Sequence, residues 1–477
     1  MPEQMPSAEL PVRSKVAYAS GASAEASITA IFNTFNFLFY NNVLGLSGTL
    51  CGLAVTIAMF FDAVSDPLVG GLSDRWHSRL GRRHPFLYAA AIPAAVFFVC
   101  IYSPPTGLEE WGLFAWFTVF TVLLRTAMTF YYVPHLALGA EMATGYVERS
   151  VLMSYNTIFS LMGTSAVGFL AWGYLGTLES GSANRSGYST IAFSVALFAA
   201  TTFFASAFFT RDQVPRLSAA PRHLPRFSLL QLLAEVRVSL SNSNYAVLLV
   251  GLICLSATLG LNETLHTHTS LFFWELDENQ IRFLSLAAPP ALLIATLLTP
   301  KLHVWFDKRE TLIAGVLGMT LAGAAPIALR LLGWFPGNDS ALLFPILALL
   351  KGASYATSAI MVISIVSTLA DVTDEHELLT GRRQEGIFFA ARSFFSKLTS
   401  GLGHLLAGMA IDLIRFPLGA IPGQIDPGVL YNFGIVAGPL SQIPGWISLF
   451  FYARYRIDKT RHAEIRRELE RRSPAAG

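Results

Sequence analysis

Long apolar segments, separated by short polar stretches, run along almost the whole chain. About 20 mostly apolar residues are enough for a helix to cross the hydrocarbon core of a bilayer. Reading for such segments predicts twelve membrane-spanning helices, at 26–46, 49–72, 85–103, 112–140, 150–176, 188–210, 244–272, 280–304, 311–333, 341–370, 384–414 and 428–453. The pattern therefore predicts an all-α membrane protein.

The largest polar interruption lies near the middle of the chain and is rich in proline and arginine. It separates two predicted bundles of six helices. The predicted regions are a cytoplasmic tail at 1–25, a bundle at 26–210, a cytoplasmic linker at 211–243, a second bundle at 244–453 and a basic cytoplasmic tail at 454–477. Such an arrangement favours two bundles that enclose a solute cavity near the middle of the membrane.

The two halves share a sequence feature that supports an internal repeat. After span 2, Asp66 and Pro67 are followed by a basic loop at 74–83, and after span 8, Pro300 is followed by a basic loop at 307–309. Basic loops occur in any membrane protein. Their position after corresponding spans nevertheless favours two parallel repeats.

The composition agrees with a membrane protein and excludes several other classes. Hydrophobic residues make up 53% of the 477 residues and charged residues only 13%, whereas soluble domains carry about 25% charged residues. The formal net charge of +2 is too small to indicate a nucleic-acid partner. All three cysteines lie in apolar segments, which argues against a disulfide framework or a cysteine metal site. The polar N-terminal segment does not have the pattern of a cleavable signal peptide.

Lysine and arginine are distributed unevenly between the two sides of the predicted membrane. With the N-terminus in the cytoplasm, almost all of them fall in the tails and the even-numbered loops. The opposite loops hold little more than Arg185 and Arg415. Cytoplasmic loops of membrane proteins carry the excess of positive charge. We therefore expect a multi-pass protein of the cell (inner) membrane with both termini in the cytoplasm.

Two aspartates, Asp62 and Asp66, lie four residues apart in span 2, and therefore on one face of the helix with Cβ atoms about 6 Å apart. At an effective dielectric constant of 20 their mutual repulsion would be about 3 kcal/mol. A bound Na⁺ or a shared proton would remove that cost, and the proline after Asp66 frees the Ala63 carbonyl as a further oxygen ligand. The alternative is that Asp66 only pairs with Arg75 or Arg82 in a structural charge network.

Span 11 carries Arg392 and Lys397, which are five residues apart and do not share one narrow helix face. A charge at membrane depth costs at least about 2.5 kcal/mol, which makes it a candidate for function. If Lys397 faces the solute cavity, it would pair with Asp62 whenever the cation is absent, so that cation and ammonium compete. The alternative is that one of these side chains extends toward the membrane surface or packs against a helix end.

Other polar groups also lie at membrane depth. They are Arg125 in span 4, Lys351 in span 10, and Glu263 with His266 and His268 in span 7. A proton relay through Glu263 and His266 is one interpretation. The two histidines diverge on a helix, which argues against a zinc site. We recognise no catalytic motif, so enzymatic activity is not expected.

Several segments together resemble the glycoside–pentoside–hexuronide:cation symporter family of the major facilitator superfamily. They are Asp62-Ala63-Val64-Ser65-Asp66-Pro67, Gly81-Arg82-Arg83-His84-Pro85, Val43-Leu44-Gly45-Leu46-Ser47, Ala370-Asp371, Gly381-Arg382-Arg383-Gln384-Glu385-Gly386 and Lys397. The segment 394–401 is also similar to the sodium-dependent lysophospholipid symporters. The resemblance runs over most of the chain.

This resemblance implies two helical bundles that expose a central solute site alternately, with a cation site at Asp62 and Asp66 and a functional lysine at Lys397. In members of the family that carry melibiose-type sugars, acidic residues of spans 1 and 4 and an arginine of span 5 hold the sugar. The corresponding positions here are Ala26, Tyr132 and Thr157, so the solute pocket is expected to be apolar and aromatic. We also expect the loop after span 2 to change with conformation. Its candidate residues are Asp74, Arg75, Gly81, Arg82 and Arg83.

Together these features predict a cation:solute symporter, with Na⁺ or H⁺ as coupling ion and no cofactor. The predicted solute is a sugar or a glycoside. The alternatives are a lysolipid or other amphiphile as solute and, in another class, a membrane receptor or scaffold that transports nothing. The expected partners are the small solute and the bilayer, and we expect a monomer. The candidate solute-binding residues are Tyr40, Asn42, Tyr132, Thr157, Glu263 and Ser393.

Overall fold

The computed structural model describes residues 10–143, 145–217, 240–381 and 385–472. All regular elements within these ranges are helical. The α-helices are α1 (Val12–Phe37), α2 (Gly48–Arg75), α3 (His84–Ile101), α4 (Glu110–Met142), α5 (Tyr146–Leu175), α6 (Arg185–Thr210), α7 (Ser243–His268), α8 (Glu278–Leu284), α9 (Ala288–Phe306), α10 (Lys308–Leu331), α11 (Leu343–Thr380), α12 (Glu385–Leu413), α13 (Pro427–Ile435), α14 (Ser441–Tyr452) and α15 (Lys459–Arg472).

By length and composition, 10 of the described helical segments could cross a membrane. Two further long helices, α1 and α12, bring the described residues to the predicted number of twelve. Two of these segments are interrupted. A 3-10 turn at Ser285–Ala287 joins α8 to α9, and a π-helical turn at Val436–Leu440 joins α13 to α14. The predicted all-α membrane architecture is thus confirmed.

The first helix begins at Val12, well before residue 26, where the apolar pattern predicted the first span. The additional segment is rich in alanine and serine. Alanine favours a helix because it loses no side-chain entropy, but it adds little hydropathy, so the apolar pattern does not reveal this extension. Much of the added segment is buried, and even Lys15 is only 9% exposed.

Contacts between helices divide the chain into two compact units. Unit 1 comprises Met1–Phe227, Asp277–Ser285 and Pro417–Gly419, and unit 2 comprises Ser228–Leu276, Leu286–Phe416 and Ala420–Gly477. Helices α1–α6 and α8 therefore lie in unit 1, and the others lie in unit 2. Most of the predicted linker, from 218 to 239, lies outside the described residues, as do positions 382–384 of the segment before span 11.

Within each unit, one helix pair approaches closely at glycines. In unit 1, a Cβ atom at Gly163 of α5 would overlap the carbonyl oxygen of Ser23 in α1. In unit 2, a Cβ atom at Gly403 of α12 would overlap the Ala257 carbonyl oxygen of α7, and Gly260 of α7 is equally close to α12. Small residues allow helices to pack closely in membranes, so the two units use the same device in corresponding helix pairs.

The first helix of each unit also ends in the same way. α1 continues into a π-helical segment at Leu38–Val43, and α7 continues into one at Thr269–Phe273. Such segments are rare in proteins. Their occurrence at the same place in both units supports the internal repeat that the basic loops suggested.

Candidate functional site

The candidate cation site lies between α2 and α4 of unit 1. Thr129 of α4 donates a hydrogen bond of 2.9 Å to Asp62, and its hydroxyl oxygen is 3.2 Å from a carboxylate oxygen of Asp66. Asp62 is only 6% exposed, so most of its surface is removed from water. The structure therefore brings the two acids singled out in the sequence around one hydroxyl oxygen.

A guanidinium group contributes positive charge to this site. Arg125 lies one turn before Thr129 on α4, and its Nη1 is 3.8 Å from Oδ2 of Asp62. Its Cζ is 5.1 Å from the centre of the Phe32 ring of α1, which is a cation–π distance. Arginine stays protonated in proteins. Arg125 therefore offsets part of the negative charge of the two acids.

Backbone oxygen is also available near the acids. α2 continues through Pro67 without a break. Because proline has no amide hydrogen, it donates no helical hydrogen bond to the Ala63 carbonyl, four residues earlier. Ala63 is 2% exposed. Carboxylate, hydroxyl and carbonyl oxygens are the donors that hard cations prefer, so the chemistry of the site fits such an ion.

Multivalent metal ions have less support. The described part of the chain holds no group of three or more His, Cys, Asp and Glu side chains placed to bind a metal ion. The acids of span 2 form a pair with a hydroxyl neighbour, and such a set has too few charged ligands for a dedicated divalent site.

The loop between α2 and α3 is held against α4 by charges. Arg83 is 4% exposed, donates a hydrogen bond of 2.9 Å to Glu141, and also pairs with Asp74. Arg82 pairs with the same glutamate at 2.9 Å. Arg82 therefore belongs to this loop network through Glu141.

The shape of this loop depends on Gly81. Its φ of +75° lies in the left-handed region, which glycine adopts at little cost. A Cβ atom there would lie 3.1 Å from the Val214 side chain. A side chain at position 81 would thus strain the backbone and also crowd Val214.

Arg75, the last residue of α2, is half-buried.

The predicted coupling residues lie on α12 of unit 2. Arg392 and Lys397 are both half-buried. Ser396, next to Lys397, lies 2.9 Å from the Ser256 hydroxyl of α7, so this stretch of α12 contacts α7 through polar groups. The pairing of Lys397 with Asp62 would join the two units and stays a prediction.

Three of the predicted solute-binding residues are accessible. Tyr132 is 43% exposed, and Thr157 and Ser393 are exposed as well. The Thr157 hydroxyl donates a hydrogen bond of 3.0 Å to the Met153 carbonyl of its own helix. Accessibility allows a solute contact at these positions, and their role in binding stays a prediction.

Two other predicted solute-binding residues are buried, and their role in binding stays a prediction. Tyr40 is fully buried, stacks on Phe117 with ring centres 3.9 Å apart, and donates a 2.6 Å hydrogen bond to the Ile101 carbonyl. Asn42 is 8% exposed, and its carbonyl accepts a 3.1 Å hydrogen bond from Gly419. Tyr40 packs within unit 1, because an aromatic side chain of a membrane helix fills the core as readily as it lines a cavity.

Glu263 has a different neighbour from the one expected. Its Oε2 is 3.5 Å from Nε2 of His404 on α12. His266 instead lies within electrostatic range of Lys351. The structure thus places Glu263 beside an imidazole of another helix, and the relay through His266 stays a prediction.

Sequence reasoning missed two residues that these sites contain. Thr129 is one of many hydroxyl residues in apolar spans, and only its spacing of four residues from Arg125 could have drawn attention to it. His404 stands among apolar and small residues of span 11, and a single histidine in such a segment is usually a packed one. Both became visible only as neighbours of acids on other helices.

The sequence matches the family model described as MFS/sugar transport protein over residues 17–459. An isoprimeverose transporter of Lactiplantibacillus pentosus is 23% identical over 80% of this chain and 76% of its own length. The sodium-dependent lysophosphatidylcholine symporter 1-A of Danio rerio is 23% identical over 97% of this chain and 88% of its own length. The crystal structure of a D-xylose-proton symporter aligns with a TM-score of 0.63 at 14% identity, covering 93% of this chain and 97% of that chain.

Proposed function

The chain belongs to the MFS/sugar transport protein family, and we propose that its coupling cation is Na⁺, bound at Asp62 and Asp66. As a cation-coupled symporter of this superfamily, the protein carries cation and solute together while its sites are exposed alternately on the two sides of the membrane. We assign it no enzymatic activity.

The observation that carries this proposal is the convergence of oxygen atoms on Thr129. Its hydroxyl oxygen is 2.9 Å from Asp62 and 3.2 Å from Asp66. Hydroxyl and carbonyl oxygens coordinate a metal ion but do not bind an additional proton at neutral pH. A site that combines them with two carboxylates therefore favours Na⁺ over H⁺.

Arg125 provides the physical link between an occupied and an empty site. The guanidinium lies 3.8 Å from Asp62 and offsets part of the negative charge that would attract a cation. A bound Na⁺ would neutralise that field and weaken the hold on Arg125, because opposite charges attract strongly where water is scarce. When the ion leaves, Arg125 again compensates Asp62. Cation and arginine thus compete for one carboxylate.

The solute that we propose is a sugar or a glycoside. The description of the matching family and the name of the Lactiplantibacillus relative both refer to sugars. Exposed polar and aromatic groups such as Tyr132 and Thr157 suit a solute with hydroxyl groups and apolar ring faces. Tyr132 and Thr157 stand at the positions where family members that carry melibiose-type sugars have charged sugar-binding residues.

A cavity in unit 1 favours a second candidate, an amphiphilic solute such as a lysolipid. The cavity measures about 740 Å³ and lies between α1, α5 and α6. The Ser194 and Thr190 hydroxyls on its wall donate hydrogen bonds of 2.9 Å and 3.1 Å to carbonyls of their own helix. Since these polar atoms are already satisfied, the wall offers an apolar surface that suits a hydrocarbon tail. The Danio rerio relative, by its name, carries lysophosphatidylcholine.

The test begins with purified full-length protein and a thermal-stability screen. Sugars, glycosides and lysolipids are each added with and without Na⁺, since a ligand that binds the folded state raises its stability. The best solute is then followed into proteoliposomes with an inward Na⁺ gradient. The same uptake is measured for Asp62→Asn and for a control, Asp339→Asn, which changes an acid in the loop between α10 and α11.

We expect Na⁺-driven uptake in the wild type and in Asp339→Asn, and none above empty liposomes in Asp62→Asn, because an amide cannot balance the cation. Gradient-driven uptake that survives in Asp62→Asn would show that the cation binds elsewhere. A lysolipid as the only stabilising compound would decide for the second candidate, and uptake of no solute at all would point to a receptor or scaffold.

We also propose that the protein lies in the cell (inner) membrane with both termini in the cytoplasm. The excess of lysine and arginine in the tails and the even-numbered loops supports this orientation. Single cysteines introduced at Ser180, between α5 and α6, and at Asp458, just before α15, should react with an impermeant thiol reagent from opposite sides of the membrane. Reaction of both from the same side would contradict the proposed orientation.

A further inference from the structure

A second ionisable pair lies in unit 2, on helices other than those of the candidate cation site. His404 of α12 is 5% exposed, and its Nε2 is 3.5 Å from Oε2 of Glu263 on α7. This nitrogen is buried and makes no hydrogen bond within the described residues. A buried imidazole nitrogen thus faces a carboxylate oxygen across a gap that one shared proton would close.

Thr264 contacts the other ring nitrogen of His404. The Thr264 hydroxyl oxygen is 2.6 Å from Nδ1 of His404 and 3.1 Å from the Gly260 carbonyl oxygen. A hydroxyl has one proton, so when it donates to Gly260 it must accept from Nδ1–H. Nε2 then carries a lone pair, which the negative carboxylate repels until a proton is added to the ring.

The other tautomer leads to the same protonated state. In it, the Thr264 hydroxyl donates to Nδ1, and Nε2–H points toward Glu263. A proton can then bind Nδ1 once the hydroxyl turns back to the Gly260 carbonyl. In both cases the product is an imidazolium that donates to Thr264 through Nδ1 and to the carboxylate through Nε2.

We infer that Glu263 and His404 form a proton-binding site, which gives unit 2 an ion site of its own. Binding forms one N–H bond on the imidazole and changes the net charge of the pair from −1 to 0. The proton comes from water and returns to it past Glu263, whose side chain is 32% exposed. The inference does not depend on the cation site in unit 1.

The helices packed around the pair bring few other charges to it. On α7, His266 lies in electrostatic range of Lys351 of α11, while the His268 ring packs near Phe272 and Phe416. The carboxylate of Glu263 lies directly beside the His404 ring, 3.5 Å from Nε2.

The remaining neighbours are distant or uncharged. On α12, Lys397 is seven residues from His404, about 10 Å along the helix, Arg392 is farther away, and Asp412 lies about two turns in the other direction. α14 contributes Gln442, whose amide donates a 2.6 Å hydrogen bond to Asn262. The carboxylate of Glu263 is therefore the charge that most directly sets the proton affinity of His404.

Nitrogen NMR of the full chain in lipid bilayers tests this inference with the proton itself as ligand. Histidine rings are labelled with ¹⁵N and followed from about pH 4 to about pH 9, a range that brackets ordinary histidine titration. The His404 signal is the one missing from His404→Gln. The comparison variants are Glu263→Gln, Glu263→Asp and, as a control in another part of unit 2, His303→Gln.

We expect His404 to gain one proton in the wild type and in His303→Gln at the same pH. In Glu263→Gln the same step should occur about 1–3 pH units lower, because an opposite charge beside the ring is lost. Glu263→Asp retains the charge and should titrate nearer the wild type. The inference fails if His404 keeps one protonation state throughout, or if Glu263→Gln leaves the midpoint unchanged.

The outcome is separable from that of the proposed function. Asp62→Asn should not move the His404 titration, since it changes the other unit. A titrating His404 together with Na⁺-driven uptake in Asp62→Asn would remove only the cation site. A silent His404 together with loss of uptake in Asp62→Asn would remove only the proton site.

Discussion

The two units pack alike but carry different ionisable chemistry at membrane depth. Unit 1 sets Asp62 beside a guanidinium, 3.8 Å away, and unit 2 sets Glu263 beside an imidazole, 3.5 Å away. A guanidinium keeps its proton at any physiological pH, whereas an imidazole changes charge near neutrality. The partner of Asp62 therefore keeps its positive charge, whereas the partner of Glu263 can gain one by taking up a proton.

A threonine accompanies each acid, and its position differs between the units. Thr129 donates to the carboxylate of Asp62, whereas Thr264 contacts the imidazole of His404. In unit 1 the hydroxyl oxygen adds to the ligands around the acids. In unit 2 the hydroxyl hydrogen-bonds to the ring nitrogen that faces away from the acid. The same residue type thus contacts the acid in one unit and the partner of the acid in the other.

The largest difference between the units is expected when Asp62 and Glu263 are each replaced by the corresponding amide. Asp62→Asn should abolish the Na⁺ dependence of uptake, and Glu263→Gln should keep it while altering the pH dependence of uptake. The measurement is initial uptake into proteoliposomes at several Na⁺ concentrations and pH values. If both variants lost the Na⁺ dependence together, the two units would share one ion site and the distinction between them would be wrong.

The next largest expected effect is on thermal stability, when ion pairs at the helix ends are broken. Arg83 of unit 1 has 5% of its side chain exposed, and Lys308 of unit 2, which pairs with Asp371 at 2.7 Å, has 26% exposed. Breaking a buried pair costs about 3–5 kcal/mol. Arg83→Gln should therefore lower the thermal-unfolding midpoint in detergent more than Lys308→Gln does.

A surface pair serves as the control for that experiment. Arg461 pairs with Glu464 at 3.1 Å, and about half of each side chain is exposed. Exposed ion pairs contribute about 0–1 kcal/mol, so Arg461→Gln should leave the midpoint close to that of the wild type. An equal loss in all three variants would mean that burial does not decide the contribution of these charges.

Alanine substitutions at the close glycine contacts test whether the two units pack their helices in the same way. Gly163→Ala and Gly403→Ala should each destabilise the protein by about 1–3 kcal/mol, because the added methyl group meets a carbonyl oxygen of the neighbouring helix. Gly352 of α11 has no atom within 4 Å of the position of a Cβ atom, so Gly352→Ala should be neutral or stabilising by about 0.4–1 kcal/mol. Unfolding midpoints of the three variants measure this directly. A stable Gly163→Ala would show that α1 and α5 can separate without cost.

The smallest expected effect concerns the hydroxyl in unit 1. Thr129→Val keeps the shape of the side chain but removes the oxygen, and should weaken Na⁺ binding about tenfold, as expected for the loss of a bond to a charged group. Thr129→Ser should restore most of the affinity. Isothermal titration with Na⁺ in detergent provides the numbers. Unchanged affinity in Thr129→Val would remove the hydroxyl from the ligand set.

Much of the fold follows from the chain alone, because the bilayer imposes a simple rule. Each span must satisfy its own backbone hydrogen bonds in lipid, so runs of apolar residues revealed the number of spans and the all-α class. The apolar pattern did not predict the start of α1 at Val12, because the alanines and serines there form a helix without raising hydropathy. The acids of span 2 stood out for the opposite reason, since charges in an apolar run are costly and few.

The sequence by itself determined that this is a twelve-span membrane protein with two acids at membrane depth, because local composition decides what lipid will accept. Only the tertiary structure decided that Thr129 and Arg125 surround Asp62, that His404 faces Glu263, and that Tyr40 is buried in the core. These are contacts between helices distant in the chain. Which face of one helix meets which face of another depends on the packing of whole surfaces, and no local pattern of residues records it.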